Sequence, residues 1–374
     1  MINFKLHITM IKAAYKTFGL RIAVGTSLKI GVDLAMHAFL AMDYVFFPGF
    51  NRVKVEKPVF ILGHPRSGTT FFHRLLTQTD EFATFKFVDI LLPSLTARAI
   101  VRPLFNPMRF VQWGLEDPTA VFPDGSHVTD ETSVEEEELL FLWRNDTQMN
   151  IFLTPLAFSD EPWDEIVFND AQPARRRKAS TRFLRQCFKR QIYATGRTRI
   201  VAKMPYSTLR IKALMEEFPD GRFIYLVRSP FRTLPSHLSL HRTFFSNRWG
   251  LENIPEDRLM RYYQRRYQHN VDLYRYFHEL WEGGELPQDR VKVILYDQFL
   301  SDLEAAFEEL VQFAELEVSE ALRQRIREQA EKQKSYRRKH SILSLETFGI
   351  SREQVLHDLD FVFEEYGFDR EEQD

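Results

Sequence analysis

The sequence predicts an α/β chain: a parallel sheet flanked by helices, with a mostly helical insertion at about 95–195 and an amphipathic helical segment over 1–50. Three observations predict it. Short, continuously apolar runs such as 58–63 and Arg222–Val227 recur, each followed by a turn and then a helical pattern, which is the order that parallel sheets require. The 374 residues are 44% hydrophobic and 27% charged, enough for a sizeable core and too apolar for disorder. Phe is abundant at 34 residues against 15 Gly, which points to dense aromatic packing.

Residues 1–48 are apolar but interrupted by Lys5, Lys12, Lys16, Arg21, Lys29, Asp33 and Asp43. No stretch of about eighteen uncharged residues survives, which argues against a spanning helix. One or two amphipathic helices are expected, either packed on the domain or resting on anionic lipid or guarding an apolar entrance. The domain proper is expected over 55–374. Within it, 58–63 reads as a buried strand, 69–78 as a helix, 199–203 as a strand and 208–218 as a helix. A Phe218-Pro219-Asp220-Gly221 turn leads into the strand Arg222–Val227. The next helix, 230–241, carries Pro230 in its first turn, where a missing N–H costs nothing. A strand at 291–296, a helix at about 301–314 and a charged helical tail from about 319 complete the chain. In the insertion, the acidic run 135–138 and the basic run 175–178 read as solvated helix faces.

Lys plus Arg number 50 and Asp plus Glu 52, a balance that argues against bulk nucleic-acid binding while leaving room for a local anion site. Cys187 is the single cysteine, so neither an intrachain disulfide nor a cysteine-rich zinc site can form, and a reducing, cytoplasmic setting is expected.

The segment Gly63-His64-Pro65-Arg66-Ser67-Gly68-Thr69-Thr70 lies between a strand and a helix, where backbone N–H groups and the helix dipole converge on an anion. Gly63 and Gly68 are spaced as in G-x-x-x-x-G-K-[ST], but Thr69 stands where a triphosphatase has its lysine, and the cation, Arg66, has moved into the loop. A ligand presenting one phosphate-like group fits such a P-loop-like turn better than a triphosphate. Arg228 follows a strand, and Ser236 lies eight residues later on the next helix. In open parallel sheets that is the edge where ligands bind, and an Arg fork with a hydroxyl suits a second phosphate.

These two segments resemble the 5′-phosphosulfate loop and the 3′-phosphate site of sulfotransferases that use 3′-phosphoadenylyl sulfate (PAPS). Further likenesses are Ile200-Val-Ala-Lys203-Met-Pro205, Phe218-Pro-Asp with the strand after it, Tyr296-Asp297, and Ser344-Leu-Glu-Thr-Phe-Gly349, the last resembling the bacterial-type branch. The resemblance covers roughly 55–350. It implies metal-free, in-line transfer of a sulfuryl group from PAPS to a hydroxyl or amine of a small-molecule acceptor of apolar, lipid or carbohydrate character, leaving adenosine 3′,5′-bisphosphate. Arg66, Ser67, Gly68, Thr69, Thr70, Arg228 and Ser236 would hold the nucleotide, with Arg337 and Arg338 as a looser match to a basic C-terminal segment. Lys203 would meet the sulfuryl oxygens. For the base, the histidine that relatives often place two residues past the Lys-x-Pro proline is Ser207 here. Asp89 is the first choice, with His127, Glu136 and Glu137 in reserve, while His64 and His73 read as packing residues. The alternatives are a kinase-like P-loop transferase, for which a loop lysine and Mg²⁺ ligands are missing from the pattern, and a nucleotide binder that has lost its base.

Overall fold

The computed structural model describes residues 3–77, 79, 81–104, 134–334 and 342–372. Four strands, β1 Val59–Gly63, β2 Val201–Lys203, β3 Arg222–Val227 and β4 Val291–Leu295, form one parallel sheet in the order β2-β1-β3-β4. Val59 pairs with Val201 on one side and Arg222 on the other, and Val227 pairs with Leu295. The chain leaves β1, returns beside it as β2, and then crosses to its other side as β3. The switch point therefore falls at the carboxyl end of β1, where open α/β sheets bind ligands.

Alternate residues of each strand feed two cores, as the pleat requires. Phe60, Leu62, Phe223, Tyr225 and Val227 pack with Phe188 and Phe277 on one face, and Phe60 stacks on Phe223 at 5.0 Å. Val59, Ile61, Ile224, Leu226 and Ile294 pack on the other face with Phe72, Phe299, Phe307 and Leu310. Both faces are covered, which explains strands that read as uninterrupted apolar runs.

Several boundaries differ from the sequence reading. The helix expected over 208–218 begins as a 3-10 turn, Pro205–Arg210, and becomes α-helical at Ile211–Glu217. Arg210 ends that turn and is buried, donating to Asp146 and Ser180 and lying 3.8 Å from the Phe141 ring centroid, so its side chain fixes the insertion against the sheet domain. The helix after β3 runs on to Trp249 with Pro235 inside it. Within 95–195 the described regular elements are helices, the longest being Ala174–Thr195.

At the N-terminus, α1 Phe4–Phe18 and α2 Leu20–Phe46 form a hairpin about Gly19, whose φ of +82° favours glycine. His7 Nε2 meets Asp33 at 3.0 Å across it. Further along α2, Asp43 accepts from Ser94 Oγ, from the N–H groups of Leu95 and Thr96, and from Arg190 Nε at 2.6 Å. This carboxylate caps the helix Leu95–Leu104 and joins three helices. By length and composition α2 is long and apolar enough to cross a membrane, which a count of uninterrupted uncharged residues does not register.

Candidate active site

The loop after β1 has the backbone that a phosphate cradle needs. Gly63 sits at φ +129°, and a Cβ there would strike the Leu226 carbonyl of β3. Gly68, at φ +94°, precedes the helix α3 Thr69–Leu76, and a Cβ on it would collide with the Tyr296 ring. Between them Arg66, at φ +73°, turns its side chain so that Nε donates to Ser236 Oγ at 3.0 Å. Ser67 is buried, its N–H donates to the His64 carbonyl, and its Oγ has no protein partner. An orphaned buried hydroxyl, an arginine and the open N–H groups of a helix's first turn fit an anion of phosphate size. The loop rests on His64, whose ring stacks on Tyr274 at 4.9 Å and which burial holds near a pKa of about 4, hence neutral.

Lys203, the last residue of β2, reaches the same place. Its Nζ donates to Thr70 Oγ1 at 3.0 Å and pairs with Glu136 Oε1 at 3.0 Å. The lysine side chain is 1% exposed and that of Glu136 17%. The acidic run is thus not a solvated face. Glu135, Glu137 and Glu138 are buried, and Glu136 is the partly open member. Glu137 Oε2 accepts the Lys203 N–H at 2.7 Å, and Glu138 accepts from Ser207 Oγ at 2.6 Å and Thr147 Oγ1 at 2.8 Å. Burial pushes the Glu137 carboxyl up to about 8 and the neighbouring His73, 3.8 Å away, down to about 3, so near neutral pH the pair is uncharged.

Asp89 occupies a different setting. It is the third residue of the short helix Phe87–Leu91, where its Oδ2 accepts from the Lys86 N–H at 3.1 Å and from Gln191 Nε2 at 3.1 Å. Its Oδ1 lies 3.4 Å from Arg98 Nη1. The carboxylate closes a helix start and an ion pair, while Glu136 meets the lysine.

Arg228 follows β3 and lies with its guanidinium 4.7 Å from the Tyr296 ring centroid, its Nε 3.9 Å from Asp297 Oδ1. Its carbonyl accepts from Tyr274 OH at 3.1 Å. The structure therefore brings Arg66 to Ser236 and Lys203 to Thr70, with Tyr296 between Gly68 and Arg228. Sequence reasoning singled out the Tyr296-Asp297 step but missed Tyr296 as the wall between the loop after β1 and Arg228. It missed Tyr274 entirely, because a tyrosine in a long helix carries no local signal. His127, Arg337 and Arg338 lie outside the described residues. The chain after them is fixed by the Leu343 N–H donating to Ser239 Oγ at 3.0 Å, one turn beyond Ser236.

A glycine cradle heading a helix, with threonine in place of the P-loop lysine and a separate lysine entering from the next strand, defines a group-transfer enzyme rather than a triphosphatase. The chain belongs to the sulfotransferase family, whose profile matches residues 58–320. It is an enzyme that moves a sulfuryl group from a sulfonate donor to an acceptor. It is 28% identical over 321 residues to the omega-hydroxy-beta-dihydromenaquinone-9 sulfotransferase Stf3 of Mycobacterium bovis and of Mycobacterium tuberculosis, covering 85% of this chain and 77% of each relative. The fold matches the crystal structures of sulfotransferase STF9 from Mycobacterium avium, at TM-score 0.66 and 16% identity over 97% of this chain and 96% of that one, and of STF1 from Mycobacterium tuberculosis H37Rv, at 0.67 and 16% over 95% and 91%.

Proposed function

We propose that this sulfotransferase takes its sulfuryl group from PAPS and delivers it to the hydroxyl of an apolar, lipid-like small molecule. The observation that carries the reading is Lys203 Nζ, held between Thr70 of the cradle and the Glu136 carboxylate at the carboxyl edge of the sheet. Arg66, Ser67, Gly68, Thr69 and Thr70 would receive the 5′-phosphosulfate, and Arg228 with Ser236 the 3′-phosphate, with Arg337 and Arg338 as further basic partners. PAPS, when bound, supplies an activated sulfuryl group on a good leaving phosphate. Lys203 places positive charge where negative charge grows on the transferring oxygens. Glu136 takes over the base role first given to Asp89: it is ionisable, partly open and beside Lys203, so it can take the acceptor's proton as the hydroxyl attacks. Asp89 becomes a positioning residue for the helix Phe87–Leu91.

Two findings support an apolar acceptor. The Stf3 relatives act, by name, on an omega-hydroxy-dihydromenaquinone, and the N-terminal hairpin of this chain exposes apolar side chains. The reading extends to a peripheral position at a membrane surface. Its test is ligand-dependent thermal stability. Adenosine 3′,5′-bisphosphate at a hundredfold excess over its Kd should stabilise the fold by about 2.7 kcal/mol by mass action, and ATP with Mg²⁺ should do much less. Equal shifts from both would remove the PAPS assignment.

A further inference from the structure

The second N-terminal helix, α2, has its polarity reversed. In a helix packed on a soluble domain the charged residues face water and the apolar ones face inward. In α2 the opposite holds. Asp33 is 1% exposed and Asp43 fully buried, and Lys29 turns in to meet Asp33 at 2.7 Å. The exposed positions from Val24 to Phe46 carry no charge at all. Among the described residues, fourteen large apolar side chains are exposed, and ten of them lie on α1 and α2. Leu20, Val24, Leu28, Leu34, Val45 and Phe46 run the length of α2, and Ile100 and Leu104 extend the patch on the neighbouring helix Leu95–Leu104. Water alone would not select such a face over about 40 Å of helix.

The charges that do remain outside are of one sign. Lys5, Lys12, Lys16 and Arg21 are exposed, whereas both acidic residues of the first 48 are buried. Lys5 and Lys16 reach Glu165 and Asp160 at the edge of the hairpin, which anchors it to the domain. An apolar strip on helices whose own exposed charges are all cationic is complementary to an anionic bilayer surface. A second copy of the chain would instead bring the same cations against each other.

We infer that the outward face of α2, with the exposed apolar side chains of α1, lies in the interface of an anionic lipid bilayer. The buried contacts of Asp33 with His7 and Asn145, and of Asp43 with Arg190, hold α2 along the protein, so it rests in the membrane plane rather than crossing it. This rests on the lipid-acceptor reading only for its purpose, which is to bring the enzyme to the phase that dissolves its acceptor.

The full chain is floated with vesicles of phosphatidylcholine alone and of phosphatidylcholine with phosphatidylglycerol, with neither donor nor acceptor present. The wild type should float with the anionic vesicles, and Leu28→Glu/Val45→Glu should lower the bound fraction roughly tenfold or more, since two apolar contacts become charged. In an otherwise wild-type chain, Leu28→Trp should be quenched by lipids brominated on their acyl chains. A wild type that stays with the soluble fraction, or a tryptophan that brominated lipid leaves unquenched, overturns the inference. So does a lipid-free dimer that the double variant converts to monomer. A chain that binds vesicles but transfers nothing to a lipid hydroxyl keeps this surface and loses the acceptor assignment.

Discussion

Exchanging Glu136 for glutamine separates the two carboxylates that compete for the role of base. Glu136 pairs with Lys203 Nζ at 3.0 Å, whereas Asp89 is engaged by Lys86 N, Gln191 and Arg98. Loss of a general base slows turnover by roughly 10²–10⁴, which is about 3–5 kcal/mol in the barrier. Folding should weaken less, by about 1–3 kcal/mol, because Lys203 keeps its hydrogen bond to Thr70 and gains an amide oxygen in place of the carboxylate. Asp89→Asn retains one oxygen for the Lys86 N–H but gives up the charge facing Arg98, so it should lose about 1 kcal/mol of stability and keep its turnover. The assay is transfer of radiolabelled sulfate from PAPS, run beside thermal melts and binding of adenosine 3′,5′-bisphosphate, which both variants should retain. An inactive Asp89→Asn with an active Glu136→Gln would return the base to Asp89 and refute the reasoning from the lysine pair.

Arg228→Ala should weaken adenosine 3′,5′-bisphosphate by roughly 1.5–3 kcal/mol and leave the 3′-dephospho nucleotide almost unaffected, as calorimetry can measure. Gly68→Ala adds a methyl at φ +94° against Tyr296, the ring beneath Arg228, so donor affinity should fall steeply even if the protein remains folded by circular dichroism. Stability should depend on pH in two opposed ways. Burial holds His64, His73, His237, His241 and His269 below the ordinary histidine value, so the unfolded chain binds more protons in acid, and their contribution, complete above about pH 6.5, is lost as pH falls, toward about 4 for His64 and about 3 for His73 and His269. Glu137 runs the other way, since a carboxyl raised to about 8 loses stability for the fold as pH climbs from about 4.5 to 8, and Glu137→Gln should flatten that decline in denaturant titrations.

The sheet was legible because its central strands β1 and β3 are buried on both faces and read as nearly unbroken apolar runs, and because Gly63 and Gly68 stand where the backbone tolerates nothing else. The loop from Gly63 to Thr70 and the Arg228–Ser236 step were visible for the same local reason: glycines, arginine and hydroxyl each sit within one strand-to-helix step. The environment of Glu135–Glu138 was not. Four carboxylates in a row look solvated, and only tertiary packing against Lys203, Ser207 and Thr147 gives Glu137 and Glu138 their buried partners. The setting of Asp89 was not visible either, because a carboxylate between phenylalanines has the same local pattern whether it accepts a substrate proton or a helix N–H. The inversion of α2 was hidden likewise, since Lys29, Asp33 and Asp43 count as charges in the sequence whichever way they point.

The most direct test of the central claim is a single incubation of the full chain with PAPS and a panel of hydroxyl-bearing lipids presented in phosphatidylglycerol-containing vesicles, with product mass read out and Lys203→Ala run in parallel. The account predicts a lipid product heavier by one sulfuryl group, formation of adenosine 3′,5′-bisphosphate in equal amount, and loss of both in Lys203→Ala. Sulfated product from water-soluble acceptors alone, or undiminished transfer by Lys203→Ala, would contradict it.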